Sequence, residues 1–279
     1  SRSPPPRNVF PPEPNPQRNM KPSQLRKLLL HAFQHRKKVL IVSEPGCGKS
    51  DLVEQATTEL DALFKQHAPP KTDPATVGCD LLISHPAVSD PTDYKGMPAV
   101  VDDGHAAEFL PFGDLNKLIT AKRPTVCFLD DLGQAAPAVQ AALMQLILAR
   151  RVNGHRLSDH VVFCGATNDT THMAGVSGLL EPVKSRWDTI VKLDVDVNEW
   201  CVWAHHAQLP PEIVAFIRFR PALLNQFKPT RNLTNSPIRT GQSLGTVTAG
   251  VAGGNTQLTV ESRGEIGTVR TLGGVQAGI

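Results

Sequence analysis

Short apolar runs alternate with amphipathic segments along most of the chain. The run KVLIVS, residues 38–43, is apolar and rich in β-branched residues, which predicts a strand buried on both faces of a sheet. Runs of the same character lie at residues 79–86, 125–133, 160–169 and 188–196. Between them, apolar residues recur three and four positions apart, which predicts amphipathic helices such as residues 22–37, with Ser23 as N-cap. This alternation predicts an α/β fold, a parallel sheet with helices on both faces.

Composition divides the chain into four parts. Residues 1–19 contain seven prolines, which exclude helix and central strand, so we expect a disordered arm before Met20, the predicted natural start. The α/β pattern occupies residues 20–197, and only helices are predicted in residues 198–236, as a small, truncated lid. Residues 237–279 are rich in Gly and Thr and lack a helical period. They are either a flexible tail or out-of-frame sequence in place of the rest of the lid.

The overall composition is that of an ordinary globular protein of 279 residues, 40% of them hydrophobic. No run approaches the ~20 apolar residues of a membrane-spanning helix, and the N-terminus lacks the apolar segment of a signal peptide. Five cysteines are scattered and odd in number, which favours buried thiols in a reducing compartment. We therefore expect a cytoplasmic protein with no membrane association.

Charge is distributed unevenly along the chain, whose formal net charge is +3. Residues 1–38 hold nine Lys or Arg residues and one acid, Glu13, and so carry +8, which leaves −5 for the remainder. A basic arm of this kind is either a solvated tail or a contact to nucleic acid. Because the body of the chain has no basic excess, nucleic-acid binding is an alternative and not the favoured function.

The first predicted strand leads into the sequence IVSEPGCGKS, which nearly matches a phosphate-binding loop. Its last three residues fit the pattern, whereas Ser43 stands where the first Gly is expected. Gly46 and Gly48 allow the backbone dihedrals with which consecutive N–H groups can face an anion. Lys49 would reach the β- and γ-phosphates, and the Ser50 hydroxyl would bind Mg²⁺. A small residue at position 43 can adopt the turn, so we expect a working site; an ordinary Gly-rich turn is the alternative.

A second motif is the apolar run TVCFLDD, which ends in two acidic residues, Asp130 and Asp131. In nucleotide hydrolases an Asp at the end of such a strand holds Mg²⁺, and Asp130 fits this role. Asp131 would then lie where a carboxylate can polarise an attacking water. A solvated strand end is the alternative for a lone Asp, but paired acids downstream of the GCGKS loop favour a metal site.

Together these motifs resemble the AAA+ ATPases, and among them the MoxR-like branch. The similar segments are SEPGCGKSDLVEQA, DPTDYKGMPAV, AEFLPFGDLNKL, FLDDLGQAAPAVQAALMQLILARRVNG, VVFCGATND and LLEPVKSRWDTIVKLDVD. The resemblance extends from about Met20 to Ser236 and implies a P-loop NTPase fold with a helical lid, ATP with Mg²⁺, and a homo-oligomeric ring, usually hexameric. It also implies an ATPase that remodels a protein client in the manner of a chaperone, although the client is unknown.

The resemblance assigns roles to single residues. Asn168 matches the sensor-1 position, which orients the attacking water or reads the γ-phosphate; an Asn that begins an ordinary turn is the alternative. Arg186 matches the arginine finger, which reaches the γ-phosphate of a neighbouring subunit and stabilises transition-state charge. The nucleotide would contact Glu44, Pro45, Gly46, Cys47, Gly48, Lys49, Ser50 and Asp51. The catalytic residues would be Asp131, Asn168 and Arg186, and the metal ligands Ser50 and Asp130.

Two departures from the family pattern affect catalysis. The acid at the position of Asp131 is usually Glu. The shorter Asp reaches about 1.5 Å less far, which predicts slow turnover because a misplacement of ~1 Å can cost on the order of 100-fold in rate. The sensor-2 arginine is matched by either Arg231 or Arg239, and the helices expected after it are missing. The alternatives are therefore a non-hydrolysing scaffold with ATP as a structural ligand, and an ATP-driven nucleic-acid motor or loader.

Three further features are aromatic side chains or turns. Tyr94, in DPTDYKG, either contacts a client from a loop at the centre of a ring or belongs to an ordinary turn. The sequence VDDGHA, residues 101–106, predicts a hairpin turn built on Asp-Gly. Trp200 and Trp203 are predicted to pack the lid against the core.

Overall fold

The structure is a computed structural model of the chain. It describes residues 19–168 and 178–225 in full and, further along, the backbone of three strands between residues 256 and 278. The predicted Pro-rich arm, apart from Asn19, and both candidate sensor-2 residues, Arg231 and Arg239, lie outside the described residues.

A parallel sheet forms the centre of the fold. The strands up to residue 225 are β1 Asn19–Met20, β2 Val39–Ser43, β3 Asp80–Ser84, β4 Met97–Val101, β5 Ala106–Leu110, β6 Thr125–Leu129, β7 Arg151–Val152, β8 His155–Arg156, β9 Val161–Asn168 and β10 Thr189–Leu193. Six of them, all parallel, are hydrogen-bonded in the order β1-β10-β2-β9-β6-β3. The apolar runs of the sequence are β2, β3, β6, β9 and β10, so the predicted parallel sheet is confirmed.

Helices cover both faces of this sheet, as predicted. The α-helices of the same ranges are α1 Pro22–Gln34, α2 Lys49–Gln66, α3 Pro91–Lys95, α4 Gly113–Thr120, α5 Pro137–Ala149, α6 Glu181–Lys184, α7 Val197–His206 and α8 Pro211–Phe219. One apolar core contains residues of α1 and α2, and a second contains residues of α3, α4 and α5.

Alternate residues of the buried strands belong to different cores. In β2, Val39 and Ile41 belong to the core with α1 and α2, whereas Leu40 belongs to the core with α4 and α5. All three residues are at most 1% exposed. Both faces of the strand are covered, which explains why its sequence is an unbroken apolar run rather than an apolar–polar alternation.

The N-terminus of α1 shows that the predicted capping role of Ser23 is wrong. The N-cap residue is Lys21, and Pro22 is the first helical residue, where a missing N–H does no harm. Ser23 instead donates its backbone N–H and its hydroxyl to the carboxylate of Glu199, at 2.8 and 2.6 Å. A carboxylate from α7, 176 residues later, therefore satisfies the helix end that a local cap was expected to satisfy.

The hairpin predicted from VDDGHA is confirmed, since the turn joins β4 and β5, which pair antiparallel. Tyr94, on α3, is 6% exposed, and its hydroxyl is hydrogen-bonded to Ser84 at 2.7 Å and to Ser89 at 3.1 Å. The ring belongs to the core with α4 and α5 and does not face a client.

Between β10 and residue 225 the regular elements are helices. Helices α7 and α8 lie next to each other, and α7 begins one residue before the predicted lid, at Val197. The apolar cluster of this region consists of Ile213, Ile217, Leu223 and Leu224, with Val195, Val197 and Trp200 packed against it. The lid therefore has a small apolar core of its own.

The Gly/Thr-rich segment contains regular structure. Its described backbone forms an antiparallel sheet of three strands, β11 Thr256–Ser262, β12 Glu265–Leu272 and β13 Gly274–Gly278.

Among the helices that the structure describes, none is both long and apolar enough to cross a bilayer.

One close approach in the sheet is open to a direct test. A Cβ on Gly165, in β9, would lie 2.7 Å from the Trp187 ring and 3.1 Å from Leu40 Cδ1. We expect Gly165→Ala to lower the free energy of unfolding by about 2 kcal/mol, because a packed core has no room for the added methyl group. Urea unfolding measures this loss.

Trp187→Phe is the matched background for this test. The shorter ring lacks the atoms that the methyl group would meet, and Trp187 Nε1 has no hydrogen-bond partner among the described residues. In that background the cost of Gly165→Ala should fall to roughly half or less, since contacting residues are not additive. An unchanged cost would show that the tryptophan does not limit the space at Gly165.

Candidate functional site

The candidate site lies at the carboxyl edge of the sheet, where β2, β9 and β6 end side by side. β9 lies between the other two, and its last residue, Asn168, is paired with Ser43, the last residue of β2. β6 ends at Leu129, so Asp130 and Asp131 leave the sheet at the same edge. Parallel strands bring their carboxyl ends together, and open α/β sheets bind ligands there.

The loop between β2 and α2 has the backbone of an anion-binding turn. Gly46 and Gly48 have φ of 75° and 77°, in the left-handed region that favours glycine. A Cβ on Gly48 would have Asp51 Oδ2, at 3.8 Å, as its nearest neighbour, so the backbone conformation and not the space requires this glycine. Helix α2 begins at Lys49, and its positive dipole end and free N–H groups are directed at the loop.

Lys49 is a buried cation, with 7% of its surface exposed. Its Nζ donates to Asn168 Oδ1 at 2.9 Å, to Ser43 Oγ at 3.1 Å and to the Glu44 carbonyl oxygen at 3.2 Å. Burial lowers the pKa of Lys49, because the low-dielectric interior disfavours its charged form. All three partners are uncharged oxygens, which suits an ammonium that receives an anionic ligand.

Ser43, the departure from the loop pattern, is fully buried at the end of β2. Its hydroxyl donates to the Glu44 carbonyl oxygen at 2.8 Å and accepts from Lys49 Nζ. A serine at this position therefore supplies an acceptor for the ammonium that a glycine would not.

Two oxygens suited to a metal ion meet at the loop. Ser50 Oγ donates to Asp130 Oδ2 at 2.8 Å, which joins the first turn of α2 to the end of β6. Mg²⁺ binds oxygen and commonly uses one or two carboxylates together with substrate phosphates and water. In the described ranges no three His, Cys, Asp or Glu side chains are grouped as a metal site. The donor set fits a Mg²⁺ that arrives with phosphate.

Asn168 connects the loop with the second acid. Its Oδ1 accepts from Lys49, and its Nδ2 donates to Asp131 Oδ1 at 3.3 Å. Asp131 has φ of 54°, a strained conformation of the kind that recurs at functional sites. Burial, and then repulsion from Asp130, raises the pKa of Asp131. A carboxylate with a raised pKa is a better proton acceptor.

A cavity of about 1150 Å³ connects these groups and is large enough for a nucleotide-sized ligand. The predicted site residues that line it are Pro45, Gly46, Cys47, Gly48, Lys49, Ser50, Asp51, Asp130, Asp131 and Asn168. Glu44 and Arg186 are not lining residues. Glu44 contributes the carbonyl oxygen that accepts from Lys49, and Arg186, which follows α6, donates to Ser185 Oγ at 2.6 Å.

Other lining residues were not assigned to the site from the sequence. They include Pro22 and Ser23 from the first turn of α1, and Glu199, Trp200, Trp203 and His206 from α7. The available signal was the spacing of three aromatic rings at three-residue steps on a predicted helix. That spacing shows only that the rings share a helix face. It does not show which part of the protein, or which ligand, that face contacts.

Two solved structures are distantly similar to this chain. A solved structure from Cytophaga hutchinsonii, of a protein assigned as an ATPase, is 13% identical over 73% of this chain with a TM-score of 0.44. The RuvB Holliday junction branch migration motor of Thermotoga maritima is 21% identical over 67% of this chain with a TM-score of 0.41. The chain spans 58% and 49% of the lengths of these two structures. No protein-family model and no curated protein matches the chain.

The strand order, the glycine-containing loop between β2 and α2 and the helices on both faces make this a parallel α/β fold. The fold alone does not specify an activity, because one fold hosts many functions. Function is derived below from the geometry of the site.

Asp131→Asn should raise the thermal stability of the nucleotide-free protein at pH 7, by about 2 °C. The pKa of Asp131 is raised in the folded state, so folding is opposed once the pH exceeds the usual range of a carboxyl and the group must ionise. The amide carries no charge and removes this cost. Calorimetry at pH 7 and at pH 4 separates the cause, since the gain should shrink where Asp131 becomes protonated. A gain that does not change with pH, or a loss at pH 7, would contradict this account.

Proposed function

We propose that this chain is an AAA+ ATPase of the MoxR-like branch that binds ATP with Mg²⁺ and hydrolyses it slowly to remodel a protein client. The observation that carries the proposal is the bridge from Lys49 through Asn168 to Asp131, at 2.9 and 3.3 Å. The pair formed by Ser50 and Asp130 lies at the same edge of the sheet. Phosphoryl transfer to water needs these groups around one γ-phosphate: a lysine, a metal site and a carboxylate that faces the water.

The loop between β2 and α2 would bind the triphosphate. The N–H groups around Gly46 and Gly48 face the phosphate oxygens, and Lys49 exchanges neutral oxygens for anionic ones. Ser50 and Asp130 would hold Mg²⁺, which would neutralise charge on the phosphate oxygens. The buried ammonium thereby gains an anionic partner, which offsets the cost of its burial.

Asp131 and Asn168 would promote hydrolysis. The oxygen of the attacking water forms a bond to the γ-phosphorus while the bond from this phosphorus to the β–γ bridging oxygen breaks. Asp131 accepts the proton of the water, and ADP and phosphate leave. Asn168 holds the Asp131 carboxylate and Lys49 in fixed relation, which supports its role in orienting the water.

Arg186 would act on a neighbouring subunit. It does not line the cavity of its own chain, which is what a residue acting in trans requires. The segment before α6 is fixed by Gln140, which is fully buried, donates to the Gly178 carbonyl oxygen at 3.1 Å and accepts from the Leu180 N–H at 3.0 Å. A homo-oligomeric ring, hexameric by resemblance, would bring this arginine to the adjacent γ-phosphate. The client remains unassigned.

Asp131→Glu should raise the rate of phosphate release at saturating ATP and Mg²⁺, by about tenfold, because the longer side chain reaches the water position better. Lys49→Ala is the control and should abolish release in both backgrounds. Light scattering on the same samples, with and without ATP and Mg²⁺, measures whether the chain assembles into an oligomer. A slower Asp131→Glu variant would contradict the assigned role of Asp131. ATP binding without phosphate release in either form would instead indicate a non-hydrolysing scaffold.

A further inference from the structure

Helix α7 presents a row of aromatic rings to the cavity. Trp200, Trp203 and His206 follow one another at three-residue steps, so they lie on one side of the helix. All three line the same cavity as Lys49 and Ser50. The row is therefore continuous with the candidate phosphate site and not a separate surface.

The two tryptophans have different surroundings. Trp200 packs against the apolar cluster of the lid itself, which contains Ile213 and Ile217, whereas the sequence predicted packing against the core of the sheet. Trp203 is also half-buried, but it belongs to none of the three apolar clusters found in the described part of the chain. The rings are 6.3 Å apart and inclined by 47°, so one planar ligand cannot lie flat on both. Trp203 is therefore the ring that is available to contact a ligand.

The lining groups that α1 contributes offer few free donors. Ser23 gives both its N–H and its hydroxyl to Glu199, and Pro22 has no N–H. Arg26 donates to Glu59 at 2.7 Å. A ligand against this wall would be held through its faces rather than through hydrogen bonds at its edges.

We propose that Trp203 stacks on the purine base of the bound nucleotide and sets a preference for purine over pyrimidine nucleotides. The inference rests on the proposed function, which places the triphosphate at the other end of the same cavity. An indole favours the larger π-surface of a purine, and stacking tolerates either purine because every base has a π-face. The ion pair of Lys21 with Asp196, 2.7 Å, and the contact of Ser23 with Glu199 hold α7 in place against α1.

The test compares the affinities of the full chain for ATP, CTP and inorganic tripolyphosphate, each with Mg²⁺, by titration calorimetry. The wild type should bind ATP about tenfold more tightly than CTP, and Trp203→Ala should lose about tenfold in affinity for ATP. Its affinity for tripolyphosphate should not change, because the phosphate loop is untouched. Trp203→Phe, which keeps an aromatic face, should retain most of the preference.

Controls separate this inference from the proposed function. Trp187 does not line the cavity, so Trp187→Phe should leave the purine preference unchanged. If Trp203→Ala binds ATP as tightly as the wild type, or loses tripolyphosphate affinity equally, the stacking role is wrong while the phosphate site stands. If the wild type binds neither ATP nor tripolyphosphate, the proposed function itself is wrong.

Discussion

The ammonium of Lys49, buried among neutral oxygens, is the constraint on which the candidate site depends. A cation with 7% exposure is costly unless its partners compensate for the lost water. The partners come from the ends of two neighbouring strands, Ser43 of β2 and Asn168 of β9, which are opposite each other in the sheet. The parallel pairing therefore determines where the charge lies. The dipole of α2 adds positive potential at the same place, so an anion is the ligand that this arrangement favours.

The strands that lead to this point lie in a packed scaffold, and the acid that follows one of them has an unusual backbone. β2, β6 and β9 are buried between two apolar cores. Asp131 has φ of 54° without being a glycine, and its carboxyl has a raised pKa because Asp130 and burial oppose ionisation. Such features persist only where the surrounding structure enforces them. The positive φ and the raised pKa of Asp131 both cost stability, and the fold imposes them at the edge of the sheet where β6 ends.

Local patterns were sufficient to predict five of the six strands of the parallel sheet and the glycine-containing loop after β2. An unbroken apolar run followed by GCGKS specifies a buried strand and a turn without reference to distant residues, and two acids at the end of another run need only the chain order to reach the same edge. Contacts between distant segments could not be predicted in this way. The partner of Ser23 is Glu199, 176 residues away, and the burial of Tyr94 depends on the core that it shares with α4 and α5. The different surroundings of Trp200 and Trp203 follow from the fold of the lid, since both look alike in the sequence.

Equilibrium dialysis of labelled ATP against the full chain, with Mg²⁺ or with EDTA, tests most directly whether the loop and Asp130 enclose a metal–triphosphate. The wild type should bind ATP and lose affinity when EDTA replaces Mg²⁺, whereas Asp130→Asn should bind weakly in both solutions, because it lacks the carboxylate that holds the metal. If the wild type retains no ATP, or if Asp130→Asn keeps the full response to Mg²⁺, the central claim is contradicted.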